Sequence, residues 1–62
     1  MDWTNFERID PHLLLGIVNT ALRNDFDSFE DLCLTHDIDA EALRKRLALG
    51  GYAYNESAGQ FR

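Results

Sequence analysis

Asp10-Pro11 opens a run in which Leu13, Leu14, Ile17, Val18, Ala21 and Leu22 recur at helical spacing, and this run constrains the fold more than any other feature of the chain. The Asp10 carboxylate can accept from the free N–H groups of a first helical turn. Pro11 then falls at the first helical position, where its missing N–H costs nothing. The stripe that follows reads as a continuous apolar face, so the rest of the chain must fold back to cover it. Gly16 interrupts it, weakening the helix by roughly 1 kcal/mol relative to alanine and leaving room for the close approach of a neighbouring element. Asn24 is the expected stop, with Arg23 favourable in the last turn.

What covers the stripe is legible in "SFEDLCLTHDIDAEALRKRL", residues 28–47. Ser28 caps a second helix, with Glu30 and Asp31 at the positive end of its dipole and Phe29, Leu32 and Cys33 on its inner face. "THDID", residues 35–39, reads as a turn holding Ile38 inward. Asp39 caps a third helix, in which Ala42, Leu43 and Leu47 face the core. Gly50-Gly51 ends it, because glycine takes a left-handed conformation without steric cost. Beyond, the pattern changes to an alternation of Tyr52 and Tyr54 with Ala53 and Asn55. A turn at "NESAG" and a return through Gln60-Phe61-Arg62 predict a hairpin with Asn55 opposite Gln60 and Tyr54 opposite Phe61. Such a hairpin is marginal alone and must pack its aromatic face on the helices.

The expected architecture is therefore mainly α: an N-terminal arm over residues 1–9, a three-helix helix-turn-helix-like bundle over residues 10–49, and a short β-hairpin, or wing, over residues 51–62. The arm carries Trp3, Phe6 and Ile9, spaced for a helical turn or an extended strap over the core edge. With 62 residues there is one small domain, whose core is marginal because so short a chain buries only ~60% of its unfolded surface. An apolar fraction of 45% is too high for a disordered chain. The order of three helices and a hairpin resembles a small winged helix-turn-helix across residues 28–61. A closer resemblance spans nearly the whole chain. "DPHLLLGIVNTALRNDFDSFEDLC" and "GGYAYNESAGQFR" resemble the small bacterial family known as domain of unknown function 4250, whose members share a start containing DP, LL and VNT-x-LRD and an end containing GY-x-Y and NQF, from which this chain departs at two places. Here Asn24-Asp25 follows Arg23, and Gly59 precedes Gln60-Phe61. The resemblance implies a common fold and no particular activity.

Charge separates the candidate functions. The formal net charge is −5, and an acidic protein is repelled by a phosphate backbone unless its few cations share one face. Arg44, Lys45 and Arg46 stand together, but successive helical residues diverge by about 100°. The start of the third helix, which would enter a major groove, carries Asp39 and Glu41. A nucleic-acid-binding regulator would use Arg44, Lys45 and Arg46, with Arg62 on the wing. A metal centre is not expected: Cys33 and His36 could share a helical face, yet a structural zinc site wants four ligands and the chain has one cysteine and two histidines. No cofactor is expected either. Nor is enzymatic activity, since Cys33 reads as a buried thiol and the serines as cap and turn. Several apolar residues stay unplaced once the core is filled, namely Leu15, Leu34 and Leu49, with Trp3 and Phe61. The reading that composition does not oppose is a non-catalytic protein-interaction module, self-association included, with Trp3, Leu15, Leu34 and Leu49 as contact residues. DNA binding is the alternative. The lone cysteine fits a reducing cytoplasm, and "MDWTNFER" lacks the basic start and apolar stretch of a secretory signal. A complete cytoplasmic chain beginning at Met1 is the expectation.

Overall fold

A computed structural model describes residues 3–62. Met1 and Asp2 of the arm lie outside the described residues. A short 3-10 segment, Trp3–Arg8, kinked at Asn5, leads into α1 (Pro11–Asn24), α2 (Phe29–His36) and α3 (Ala40–Ala48). The strands β1 (Tyr54–Asn55) and β2 (Gln60–Phe61) follow. The protein is thus mainly α, with three helices and a two-stranded antiparallel hairpin, the element order of a small winged helix-turn-helix. None of its described helices is long and apolar enough to cross a membrane.

Side-chain caps set where the helices begin. Asp10 Oδ1 accepts from the His12 N–H at 2.8 Å, Ser28 Oγ from the Asp31 N–H at 3.1 Å, and Asp39 Oδ1 from the Glu41 N–H at 3.0 Å. Each satisfies a donor that the first helical turn leaves free. The turn expected at residues 35–39 is shorter: α2 continues to His36 and stops at Asp37, whose φ of 55° is left-handed. That residue lets the Ile38 N–H reach back to the Cys33 carbonyl at 2.9 Å, closing the helix end. Gly51, at φ 87°, does the same service after α3.

α1 packs against α2, α3 and β2. Its core face is Leu14, Val18, Ala21 and Leu22, which join Phe6, Phe29, Leu32, Cys33, Leu43, Leu47 and Phe61 in one cluster. Leu13 is a correction to the stripe: it is 63% exposed. The physical reason is angular. Leu13, Leu14 and Leu15 span about 200° of the helix circumference, more than one core can cover. Gly16 is a second correction, because a Cβ there would meet nothing within 4 Å. The close approach occurs at Gly50 instead, where a Cβ would stand 2.9 Å from the Tyr52 ring and 3.0 Å from Pro11 Cβ.

The hairpin has the expected register, Tyr54 opposite Phe61 and Asn55 opposite Gln60. Ala53 and Arg62 extend it by exchanging two backbone hydrogen bonds at 3.0 and 2.9 Å. Phe61 is not a leftover apolar residue: it is 2% exposed, with its ring edge-on to Phe29 at 5.0 Å and close to Tyr54 at 5.2 Å. On its other side, β2 is held by Asn19. The Asn19 amide donates to the Phe61 carbonyl at 3.0 Å while its Oδ1 accepts from the Phe61 N–H at 2.8 Å. A side chain of α1 thus completes the ladder that a third strand would otherwise supply.

Candidate functional site

With the core filled, α1 keeps a second apolar band pointing away from it. Gly16, Ile17 and Thr20 stand three, four and seven residues after Leu13, so the four lie on one side of the helix. Ile17 is half-buried and Leu13 mostly exposed. Trp3 flanks the band, half-buried, and is held there by stacking on the His36 ring at a centroid distance of 4.9 Å. Phe26 meets the same imidazole edge-on at 5.5 Å. Trp3 and the band residues, with Ala21 and Asp25, line a shallow depression of about 510 Å³. Its floor is Gly16, Ala21 and Ile17, its apolar rim Trp3 and Leu13, and its one charged wall Asp25.

The other contact candidates lie elsewhere. Leu15 is half-buried and packs on the core edge. Leu49, 73% exposed, borders a different depression with Ala42, Lys45 and Glu7. Leu34, 82% exposed, stands alone on the outer side of α2. Among the four, only Trp3 belongs to the α1 band. Leu13 and Ile17, which belong there too, were not among the sequence candidates. The signal for them was the excess width of the stripe, since residues as far apart around the helix as Leu13 and Leu22 cannot both face one core.

The basic cluster is divided among three tasks. Arg44 pairs with Glu41 at 3.4 Å, both half-exposed or more, and its guanidinium lies 5.3 Å from the centroid of the Phe29 ring. Arg46 turns back to the arm and donates through Nε and an amino group to the Ile9 carbonyl, at 3.1 and 2.9 Å. Lys45 is exposed on the outward side of α3, which it shares with Glu41, Ala48 and Leu49. Arg62 is exposed at the chain end. The surface α3 would offer to a nucleic-acid groove therefore carries one cation, one carboxylate and small or apolar side chains.

Chemistry-bearing groups are few and dispersed. Burial pushes the Cys33 thiol above its ordinary pKa; nearby Arg44 lowers it in part and Asp39 adds to the rise. His12 Nδ1 hydrogen-bonds the Tyr52 hydroxyl, with the two rings edge-on at 5.4 Å. Among the described residues, no three of His, Cys, Asp and Glu stand where they could share a metal ion.

The family model for a domain of unknown function (DUF4250) matches residues 8–61. The chain belongs to that family. No curated protein matches it. No solved structure matches it either. The two stretches that carry the DUF4250 resemblance meet in space: Asn19 of the first clamps Phe61 of the second, and Pro11 and His12 close on Gly50 and Tyr52. Most of the α1 band falls within the matched residues, whereas Trp3 lies before them.

Proposed function

We propose that this DUF4250 chain is a non-catalytic protein-interaction module of the cytoplasm, docking its partner on the outward band of α1. The observation that carries the reading is the depression formed by Leu13, Gly16 and Ile17 beside Trp3. An isolated exposed leucine such as Leu34 needs no explanation. A helix that keeps an apolar second side, next to a tryptophan fixed by stacking, supports a surface that is covered at work. Burying a fully exposed leucine or isoleucine supplies about 1.5–3 kcal/mol, and covering Leu13 and the already half-buried Ile17 would supply a fraction of that for each. Set against the cost of association, that suits a reversible complex.

The test is face-specific photocrosslinking in cells. A benzophenone amino acid at Thr20 should give discrete adducts with protein, while the same group at Leu34 gives none. Equal labelling at both positions, or no adduct at Thr20, would remove the reading.

Nucleic-acid binding by a winged helix-turn-helix is the second reading. The element order and the outward Lys45 favour it; the net charge of −5, the carboxylates at the start of α3 and the engagement of Arg44 and Arg46 weigh against it. Titration of a labelled duplex at low salt separates the two, since even non-specific binding is strongest there.

A further inference from the structure

We infer that the occupant of the α1 band is an amphipathic helix with cationic ends, supplied by a basic partner and not by a second copy of this chain. The inference rests on the interaction reading above and adds the partner's chemistry. α1 has 14 residues, so the helix is about 21 Å long at ~1.5 Å per residue, and the apolar positions from Leu13 to Thr20 occupy roughly the middle half of it. Acids stand at both of its ends. Asp10 precedes Leu13 by one turn and is exposed, with one carboxylate oxygen engaged in the cap; Asp25, also exposed, closes the other end of the depression. Neither takes part in an ion pair: among the described residues the one ion pair is Arg44–Glu41, on α3. Arg23 is the one arginine of α1 and lies toward the Gly16 edge of the band. Gly16, with nothing within 4 Å of a Cβ, lets a partner backbone come close. Apolar centre, close-approach floor and an acid at each end together fit a helix with leucine-like residues at i, i+3, i+4 and i+7 and lysine or arginine at both termini. A second copy would bring another charge of −5 and another acid to each end, so like charges would oppose it.

The chain's single tryptophan reports on the site directly. The probe is a tryptophan-free ~16-residue peptide, long enough to span the band, with that leucine spacing and lysines at both ends; the control has glutamates in their place. The lysine peptide should shift Trp3 emission saturably and bind at least about tenfold more tightly than the glutamate peptide, with the difference shrinking as salt screens the ends. Gly16→Leu fills open space on a helix surface, so the variant should still melt cooperatively while losing the peptide. Asp10→Asn with Asp25→Asn keeps an N-cap residue and should weaken the lysine peptide roughly tenfold. The inference is overturned by equal binding of the two peptides or by undiminished binding to a folded Gly16→Leu or to the double variant. Sedimentation showing a dimer that Gly16→Leu dissociates would overturn it in favour of a second copy. Thr20 adducts in cells without peptide binding would overturn this occupant and leave the interaction reading in place; absence of both would remove both.

Discussion

Two residues that look ordinary in the sequence carry strong local consequences. Asn19 reads as a polar position on the flank of an apolar helix, yet it holds both backbone groups of Phe61. Replacing it with alanine leaves an amide N–H and a carbonyl in a partly buried place without their partner, which costs about 1–3 kcal/mol. Urea unfolding of Asn19→Ala should show that loss, and hydrogen exchange at the Phe61 amide should accelerate beyond the global change. Asn19→Asp keeps the acceptor and loses the donor, so it should retain part of the Phe61 protection. Cys33 gives a pH signature. Its thiol pKa is raised in the folded state, so folding favours the protonated form. The contribution is complete below the unfolded thiol's pKa of about 8.5 and is lost as pH rises through it toward the folded value. The stability difference between wild type and Cys33→Ala should therefore shrink above that pH and stay level below it. A difference independent of pH up to the alkaline limit of the fold would contradict the shift. Of these two roles, the buried thiol was legible, because Cys33 follows Leu32 on the inner face of a capped helix. The Asn19 clamp was not, because nothing local to residue 19 indicates a backbone partner 42 positions away.

At the scale of elements, the caps and the periodicity were readable and the geometry between elements was not. Asp10, Ser28 and Asp39 announce helix starts by chemistry that operates within three residues. The wing register was readable for the same reason, since the turn length fixes which residues face each other. The end of α2 was misplaced by two residues because a left-handed aspartate, unlike a glycine, gives no compositional warning. The two glycines illustrate the remainder. Gly16 and Gly50 look alike in sequence, one within a helix and one after it. Gly16 faces open space, so Gly16→Ala should stabilise the protein by up to about 1 kcal/mol through helix propensity. Gly50→Ala should destabilise it, because the new Cβ would press on the Tyr52 ring and on Pro11 and so push the wing from α1. Thermal melts of the two variants should move in opposite directions. A gain at Gly50 would mean that α1 and the wing are less tightly joined than the structure has them. The candidate surface was half legible by the same logic. Trp3 stood out as an unplaced aromatic, while Leu13 and Ile17 were absorbed into a stripe whose total width only the packing could divide.

At the scale of the whole molecule, charge is distributed without much pairing. The sequence has eleven acids and six bases, the described residues form a body of 25 × 23 × 18 Å, and the one ion pair among them is an exposed helical pair that contributes little. One further base, Arg46, is spent on an uncharged partner, the Ile9 carbonyl, and Arg44 itself also lies against the Phe29 ring. The folded state therefore concentrates like charge that the unfolded chain spreads out. At ~0.01 M salt the screening length is about 30 Å, longer than the molecule, so every acid feels every other; at ~0.15 M it is about 8 Å, and only neighbours interact. Raising salt between these limits should raise the melting temperature by a few degrees, since about 1 kcal/mol moves a domain of this size by ~4–8 °C. The cationic peptide should stabilise the fold at low salt by the same neutralisation, and its effect should fade as salt rises. A melting temperature that falls with added salt would show attractive pairs outweighing the repulsion. The net field of the protein would then be no guide to its partner, and the charge argument for a basic helix on α1 would fall with it.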